Sequence, residues 1–327
     1  MKLFKAMATI AGFTMVSRIA GMVRDMLTAS FLGAGPVADA FFVALKLPNF
    51  FRRIAGEGAF SVSFVPLYSK TLEQDGEEEA SRFSGRVFSL MLVILSVFTV
   101  VMMVFMPWVI HVIAPGFEEG TQRYSLAVLL TRFSFPYLLL MSLVSLFGGI
   151  LNAHHRFGPF AASPILFNLS LIAALGVGGF IAPSVGHAMA VAISLSGVLQ
   201  LGMMIFFLRK YKIKFHFQKP KLDEKTRTLF RKMGPGILSA GVFQVNLFVD
   251  MMIGSLLPAG SISYLYYADR LNQLPLSIAG IAVGTALPAV PVAEVALHVH
   301  ELRLQDVGAG GVHVSREGDV AAGLVLD

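Results

Sequence analysis

The sequence predicts an all-α polytopic membrane protein, on three observations. Of its 327 residues 55% are hydrophobic and only 14% are charged, and mean hydropathy is +0.72; soluble domains carry about a quarter charged residues. Apolar runs of about 20 residues, enough to cross a bilayer as a helix, recur along the chain. The basic residues collect in alternate loops, as in multi-pass proteins with a fixed orientation. The net charge of +6 therefore reads as membrane orientation, and no nucleic-acid partner is expected. The absence of Cys excludes a disulfide framework, a thiolate metal site and a cysteine nucleophile. The first apolar stretch is too long for a signal-peptide core and lacks a small-x-small exit, so no cleaved leader is expected.

Eight spans are predicted: 6–32, 37–68, 87–113, 126–151, 161–181, 186–208, 233–257 and 263–290. The second is interrupted by Pro48, Gly56 and Gly58, so a bent or broken helix is expected there. Such breaks are tolerated at depth where neighbours or water satisfy the freed backbone. One set of loops holds Lys2 and Lys5, then Lys70, Arg82 and Arg86, then Arg156, then the long basic run from Arg209 to Lys232. The alternate set, "GAGP", "APGFEEGTQRY", "APSVGH" and "LPAGS", holds only Arg123. The asymmetry predicts a cytoplasmic N-terminus.

The basic run 209–232 divides six spans from two, and the chain partly repeats itself across it. "RDMLTASFLGAG" from Arg24 aligns with "VDMMIGSLLPAG" from Val249, pairing Asp25 with Asp250. Leu47-Pro48 likewise aligns with Leu274-Pro275. Both copies start on the same side, which predicts a parallel repeat of the kind that relates the two lobes of a transporter. From Pro288 the composition changes: no Phe, Tyr, Trp, Met, Ile or Lys follows. A reading-frame change accounts for that break better than a natural soluble tail, and no role is assigned to His298, His300 or His313.

The first span carries Arg18, Arg24 and Asp25 in its middle. Three central charges cost about 7–10 kcal/mol to insert, and its strong apolar residues offset only roughly 2–5. Arg18 lies about 20 Å along the axis from Phe4, too far to snorkel. The charges must face protein or a wet cavity. Arg18 and Asp25 share a stripe, and Gly21 and Ala29 are expected to keep it narrow. The second span adds Asp39, Lys46 and Arg53 at steps of seven, with Glu57 one turn on and Arg52 beside them. The last contributes Asp269, Arg270, Asn272 and Gln273, and the seventh Gln244, Asn246 and Asp250. Guanidiniums converging from several helices suit a multiply anionic ligand, since their forks match phosphate oxygens. Asn246 and Asp250, one turn apart, could hold a coupling cation, although two oxygen-bearing groups are few for such a site. "NAHHRFG" reads as a loop. No hydrolase triad, phosphate-binding loop or metal-hydrolase spacing is present, so no enzyme is expected.

The stretch "SRIAGMVRDMLTASFLGAGPVADAFFVALKLPNFFRRIAGEGAFSVSFVPLYS", with "NAHHRFGPFAASPILFN" and "YYADRLNQLPLSIAGIAVGTA", resembles the MurJ (MviN) family of lipid II flippases, over roughly residues 1–286. The resemblance implies the multidrug/oligosaccharidyl-lipid/polysaccharide exporter-type fold, two lobes around a cationic cavity that alternates between the two sides of the membrane. It implies an N-terminal six-helix lobe over 1–208, the basic cytoplasmic loop 209–232, the first two helices of the second lobe over 233–290 and a non-family, disordered tail over 291–327. By matching motif, Arg18, Arg24, Arg52 and Arg270 would meet the lipid-linked pyrophosphate, with Asp25, Asp39 and Asp269 beside them. The implied partners are lipid II, the bilayer of the bacterial inner membrane and the cell-wall synthesis machinery. No cofactor is implied beyond a coupling cation or the membrane potential. After "GTA" the sequence departs from the family pattern at Leu287-Pro288, so the chain alone is expected not to transport. Competing readings are a flippase for another undecaprenyl-linked saccharide, a drug/cation antiporter or a non-transporting remnant. Arg18, Arg24, Lys46, Arg52, Arg53 and Arg270 outnumber Asp25, Asp39, Glu57, Asp250 and Asp269, which argues against a cavity for cationic drugs.

Overall fold

The computed structural model describes the main chain over residues 2–53 and 59–286, with side chains over 8–53, 59–241 and 244–273. Glu57, Gly56, Gly58, Pro275 and everything from Leu287 onward, including the compositional break, lie outside the described side chains. Ten α-helices follow one another, and there is no strand among the described residues: α1 Lys2–Leu32, α2 Pro36–Phe51, α3 Ser61–Val104, α4 Met106–Ile113, α5 Gln122–Ser134, α6 Tyr137–Ala153, α7 Gly158–Ile181, α8 Val185–Lys210, α9 Glu224–Ser255 and α10 Ser261–Ala286.

Local chemistry explains the ends. Pro36, Pro107 and Pro159 sit in the first turns of α2, α4 and α7, where a missing N–H costs nothing and the fixed φ suits a helix. The Thr121 hydroxyl caps α5 by accepting from Tyr124 N–H at 3.3 Å. The Asp223 carboxylate caps α9 through Thr226 N–H at 2.9 Å. In the second predicted span α2 runs through Pro48 to Phe51, residues 52–53 and 59–60 wind with π-type bonds, and α3 starts at Ser61; Gly56 and Gly58, where a break is expected, lie outside the described residues. Two further breaks were not read from the sequence. The third span divides at Phe105 into the end of α3 and α4, and the fourth divides at Pro136 into α5 and α6. α3 also bends at Gly76, the single residue with non-helical angles inside it.

Five of these stretches, Ser61–Val104, Gln122–Ala153, Gly158–Ile181, Val185–Lys210 and Glu224–Ser255, are long and apolar enough to cross a membrane. The 16-residue α2 and the charged α1 do not qualify among them. Burial shows why α2 can be short. Its residues Ala38 to Leu45 are all buried, packed against α5, α6 and α8, so it is a core helix. α1 packs chiefly on α7, α7 on α8, and α3 on α6. Outward faces carry Val97, Val100, Val104, Trp108, Phe180 and Leu195, as a lipid-facing surface requires.

The segment expected as a loop from 209 to 232 is shorter. α8 continues through Lys210 and α9 begins at Glu224, because Asp223 supplies the cap that "EKTRTLFRK" needs to stay helical. Between them, after a turn at residues 211–212, the chain runs along α3. The Ser81 hydroxyl meets His216 Nδ1 at 2.9 Å and accepts from His216 N–H at 2.8 Å. Ser89 Oγ donates to the Gln218 carbonyl. A Cβ on Gly85 would lie 1.9 Å from the His216 carbonyl oxygen, so only glycine lets this strap lie flat. Phe215 packs edge-on to Phe88 and Phe147.

The strap is fastened at its end by Arg86, which pairs with Asp223. Burial alone pushes the Asp223 carboxyl up, but the Thr226 hydroxyl and N–H and the Arg86 guanidinium outweigh it and hold it below the ordinary aspartate value. A depressed carboxyl contributes stability above its unfolded pKa, about 3.9, and loses it as pH falls further. Hydrogen exchange across residues 214–222 is therefore expected to quicken as pH drops below about 4, after correction for intrinsic rates. In Asp223→Asn the exchange should already be fast at neutral pH and should not steepen on acidification.

Candidate functional site

The charges of α1 are arranged by two neighbours, α7 and α10. Ser17, Gly21, Arg24 and Thr28 follow one another at steps of three and four, one face of a helix, and that face meets Asn168 of α7. Asn168 Nδ2 donates to the Ser17 carbonyl at 2.9 Å, and its Oδ1 accepts from Arg24 Nη1 at 2.9 Å. A Cβ on Gly21 would stand 3.6 Å from that Nδ2, so a methyl fits but a longer side chain would displace the amide. Gly21 thus serves the α7 contact, which corrects the expectation that it narrows the Arg18–Asp25 stripe. Arg18 itself is exposed.

Arg24 is buried, and its Nε and Nη2 both donate to Asp25 Oδ1, at 3.0 and 2.6 Å. Its guanidinium lies 5.6 Å from the centre of the Phe167 ring, within cation–π reach. Asp25 also accepts from the Tyr266 hydroxyl at 3.2 Å and faces Arg270 Nε across 3.4 Å. Arg270 in turn lies over the Tyr266 ring at 4.9 Å. One carboxylate is therefore shared by two guanidiniums. The two cations differ in access: the Arg24 side chain is 10% exposed and the Arg270 side chain 40%. Arg24 is the anchored member and Arg270 the one a ligand can reach.

Arg270 joins this cluster to a second. Lys46 of α2 lies within electrostatic range of Asp250, Asp269 and Arg270, so α1, α2, α9 and α10 border one charged zone. Asp250 and Asn246 are both exposed on α9. The cation in electrostatic range of Asp250 is the Lys46 ammonium, and among the described residues no group of three His, Asp or Glu could hold a metal ion. Arg52 is half-buried and donates Nε to Asn49 Oδ1 at 3.0 Å; Arg53 is exposed. His154 follows the end of α6 in the expected loop, its Nε2 3.2 Å from the Tyr68 hydroxyl.

The structure places Asp39 apart from the arginine cluster. It is fully buried, and both of its oxygens are engaged. Oδ2 accepts from Gly260 N–H at 2.7 Å and faces Arg123 Nη2 at 2.9 Å. Oδ1 accepts from Ser263 N–H at 2.9 Å and from its hydroxyl at 2.6 Å. A carboxylate at the start of α10 meets the positive end of its dipole and its orphan N–H groups. Arg123 does the reverse at the end of α9, donating Nη1 to the Leu257 carbonyl at 3.2 Å and reaching that of Ser255 at 3.4 Å. Its guanidinium covers Phe117 at 4.1 Å. Gly116 N–H donates to Ser255 Oγ at 3.0 Å, and a Cβ there would lie 2.1 Å from the Ser255 carbonyl oxygen, so this approach needs glycine. Asp39 and Arg123 together clasp the α9–α10 turn. The turn between α1 and α2 lies alongside, since a Cβ on Gly260 would be 3.6 Å from Gly35 N. The two aligned segments thus meet at their turns.

Three contributors escaped the reading of the sequence. Asn168 is the sole amide in span 161–181, and an amide in hydrocarbon needs a partner. Arg123 is the sole cation in the low-charge loops. Tyr266 carried no signal beyond its place in an aromatic pair, and only the packing of its ring on Phe42, 4.0 Å between centres, explains it.

Comparison with known proteins now bears on the cluster. A family model described as lipid II flippase MurJ matches residues 28–301, a stretch that runs past the compositional change at Pro288. The chain is 38% identical over 291 residues to a probable lipid II flippase MurJ of Rhizobium meliloti (strain 1021), covering 88% of this chain and 54% of that protein. It is 39% identical over 288 residues to the probable lipid II flippase MurJ of Rickettsia prowazekii (strain Madrid E), covering 88% and 56%. The chain therefore spans about half the length of these relatives. Among solved structures, lipid II flippase MurJ in an inward closed conformation superposes with a TM-score of 0.69 at 28% identity, over 81% of this chain and 54% of that one. An inward-facing multidrug-resistance transporter of the MATE family, in the MOP superfamily, gives 0.58 at 16% identity over 74% and 55%, a likeness of fold.

Proposed function

The chain belongs to the lipid II flippase MurJ family, and from that membership we propose that it forms the arginine-bearing part of a transporter for lipid-linked peptidoglycan precursor. It is a multi-pass membrane protein with the exporter-type helical fold of that family. Its membrane is the inner one and its N-terminus lies in the cytoplasm, an orientation that the loop charges favour. It performs no covalent chemistry. The pyrophosphate of the precursor enters from the side of the basic loops and displaces Asp25 from Arg270, while Arg24 stays fixed by Asn168. The polyprenyl tail remains in lipid.

The observation that carries this reading is the sharing of one carboxylate, Asp25, between a buried and a reachable guanidinium. Exchange of one anion for another keeps the Arg270 guanidinium paired, whereas a cationic drug would meet a carboxylate already engaged by two guanidiniums. The clasp of Asp39 and Arg123 supports alternating access, since it joins α2 and α5 to the α9–α10 turn at the end away from the basic loops. A transporter open to one side needs such a closure at the other.

Binding to the purified chain in nanodiscs tests the proposal. An undecaprenyl pyrophosphate-linked disaccharide is expected to bind saturably, to weaken with salt and to be displaced by inorganic pyrophosphate. A lipophilic cation such as ethidium should not compete. Ethidium binding with no response to the pyrophosphate lipid would turn the assignment toward a cation antiporter.

A further inference from the structure

The strap between α8 and α9 carries more than is needed to connect two helices. From Arg209, in the last turn of α8, to Leu222 the chain holds six Lys and Arg and no Asp or Glu. Tyr211 and Lys212 close α8 in a turn, with Lys212 at φ 56°, and exposure alternates from there to Phe215. Tyr211, Ile213 and Phe215 turn inward onto the helical core, while Lys212 and Lys214 point out. Beyond them Lys219 and Lys221 are also exposed.

Among these lysines two large apolar side chains are turned outward, Phe217 at 66% exposure and Leu222 at 61%. A loop in water has no use for them. The depth of the strap supplies one. The Gln218 carbonyl is held by Ser89, and the apolar run of α3 begins at Val87, so the strap dips to the level where α3 enters hydrocarbon. Phe217, against Phe88 with ring centres 5.7 Å apart, sits at that level with its other face open. Aromatic rings favour the membrane–water interface, and clusters of Lys and Arg beside a spanning helix attract anionic lipid.

We infer that the outer face of this strap is a binding surface for anionic phospholipid, with Phe217 inserted among the acyl chains and Lys212, Lys214, Lys219 and Lys221 on the headgroup phosphates. The inference rests on the multi-pass architecture and not on the substrate carried. It also gives the docking on Ser81, Gly85 and Ser89 a purpose, since a flat strap presents all four ammonium groups to one leaflet.

Tryptophan fluorescence provides the test. Trp108 is the sole native tryptophan, so a Trp108→Phe, Phe217→Trp chain reports on the strap alone. In vesicles, quenching by phosphatidylglycerol brominated high on its acyl chains is expected to exceed quenching by brominated phosphatidylcholine several-fold. Replacing the four lysines with Gln should abolish the preference while quenching of Trp108 in the native background stays unchanged. Equal quenching by both lipids would overturn the inference, because headgroup charge would then not be read. Absence of quenching by either would overturn it too, placing the strap in water.

Discussion

Replacing Asp39 with alanine is expected to destabilise the protein by about 3–5 kcal/mol, the usual effect of breaking a buried ion pair from one side. The change strands the Arg123 guanidinium, whose side chain is only 12% exposed, and leaves Gly260 N–H and Ser263 N–H without an acceptor. Thermal unfolding in detergent should show a clear drop in midpoint. The partner substitution separates the charge from the space it fills. Because replacing both members of a buried pair with apolar groups is often neutral, Asp39→Ala with Arg123→Met should recover much of the loss. Equal midpoints for wild type and Asp39→Ala would mean that the α9–α10 turn is held by other contacts. The double variant also bears on mechanism, since a turn that is no longer clasped should raise the accessibility of a cysteine placed at Ala259 to a membrane-impermeant thiol reagent.

Arg270→Ala is the change expected to weaken binding of a pyrophosphate lipid most while leaving the fold in place. Hydrogen bonds to charged groups contribute about 1.5–3 kcal/mol each, so loss of one guanidinium contact predicts roughly a 10- to 100-fold rise in Kd. The side chain is 40% exposed and Asp25 keeps Arg24 and Tyr266 as partners, so the amount of folded protein should be near normal. Arg270→Lys retains the charge without the planar fork and should fall between the two. Arg24→Ala is expected to be less clean, because it also deprives Asn168 of its donor and Asp25 of its closest cation. Unchanged affinity in Arg270→Ala would place the head group elsewhere in the charged zone.

Much of this was legible in the chain because hydrocarbon enforces simple rules. Length and hydropathy marked the helices, and the cost of Arg18, Arg24 and Asp25 in a span demanded an enclosed or wet surface. The repeat pairing Gly35 with Gly260 anticipated two turns that the fold brings side by side. Breaks at Phe105 and Pro136 were not read, since the apolar composition continues across them, although Pro107 and Pro136 mark both.

What the sequence determined by itself is the class of the protein: its helices, the uneven spread of loop charges, and the presence of charges inside apolar spans that need partners or water. Tertiary structure alone decided the role of each charge. Arg24, Asp25 and Asp39 look alike in the chain, each an ion within an apolar run, and burial by itself cannot distinguish them. Asp25 lies between two guanidiniums, one of them 40% exposed, whereas Asp39 has both oxygens filled by Arg123 and the start of α10. The physical reason is that an ion in a low-dielectric interior is defined by its partners, and those partners, Asn168, Tyr266, Arg270, Arg123 and Ser263, lie more than 80 residues away along the chain.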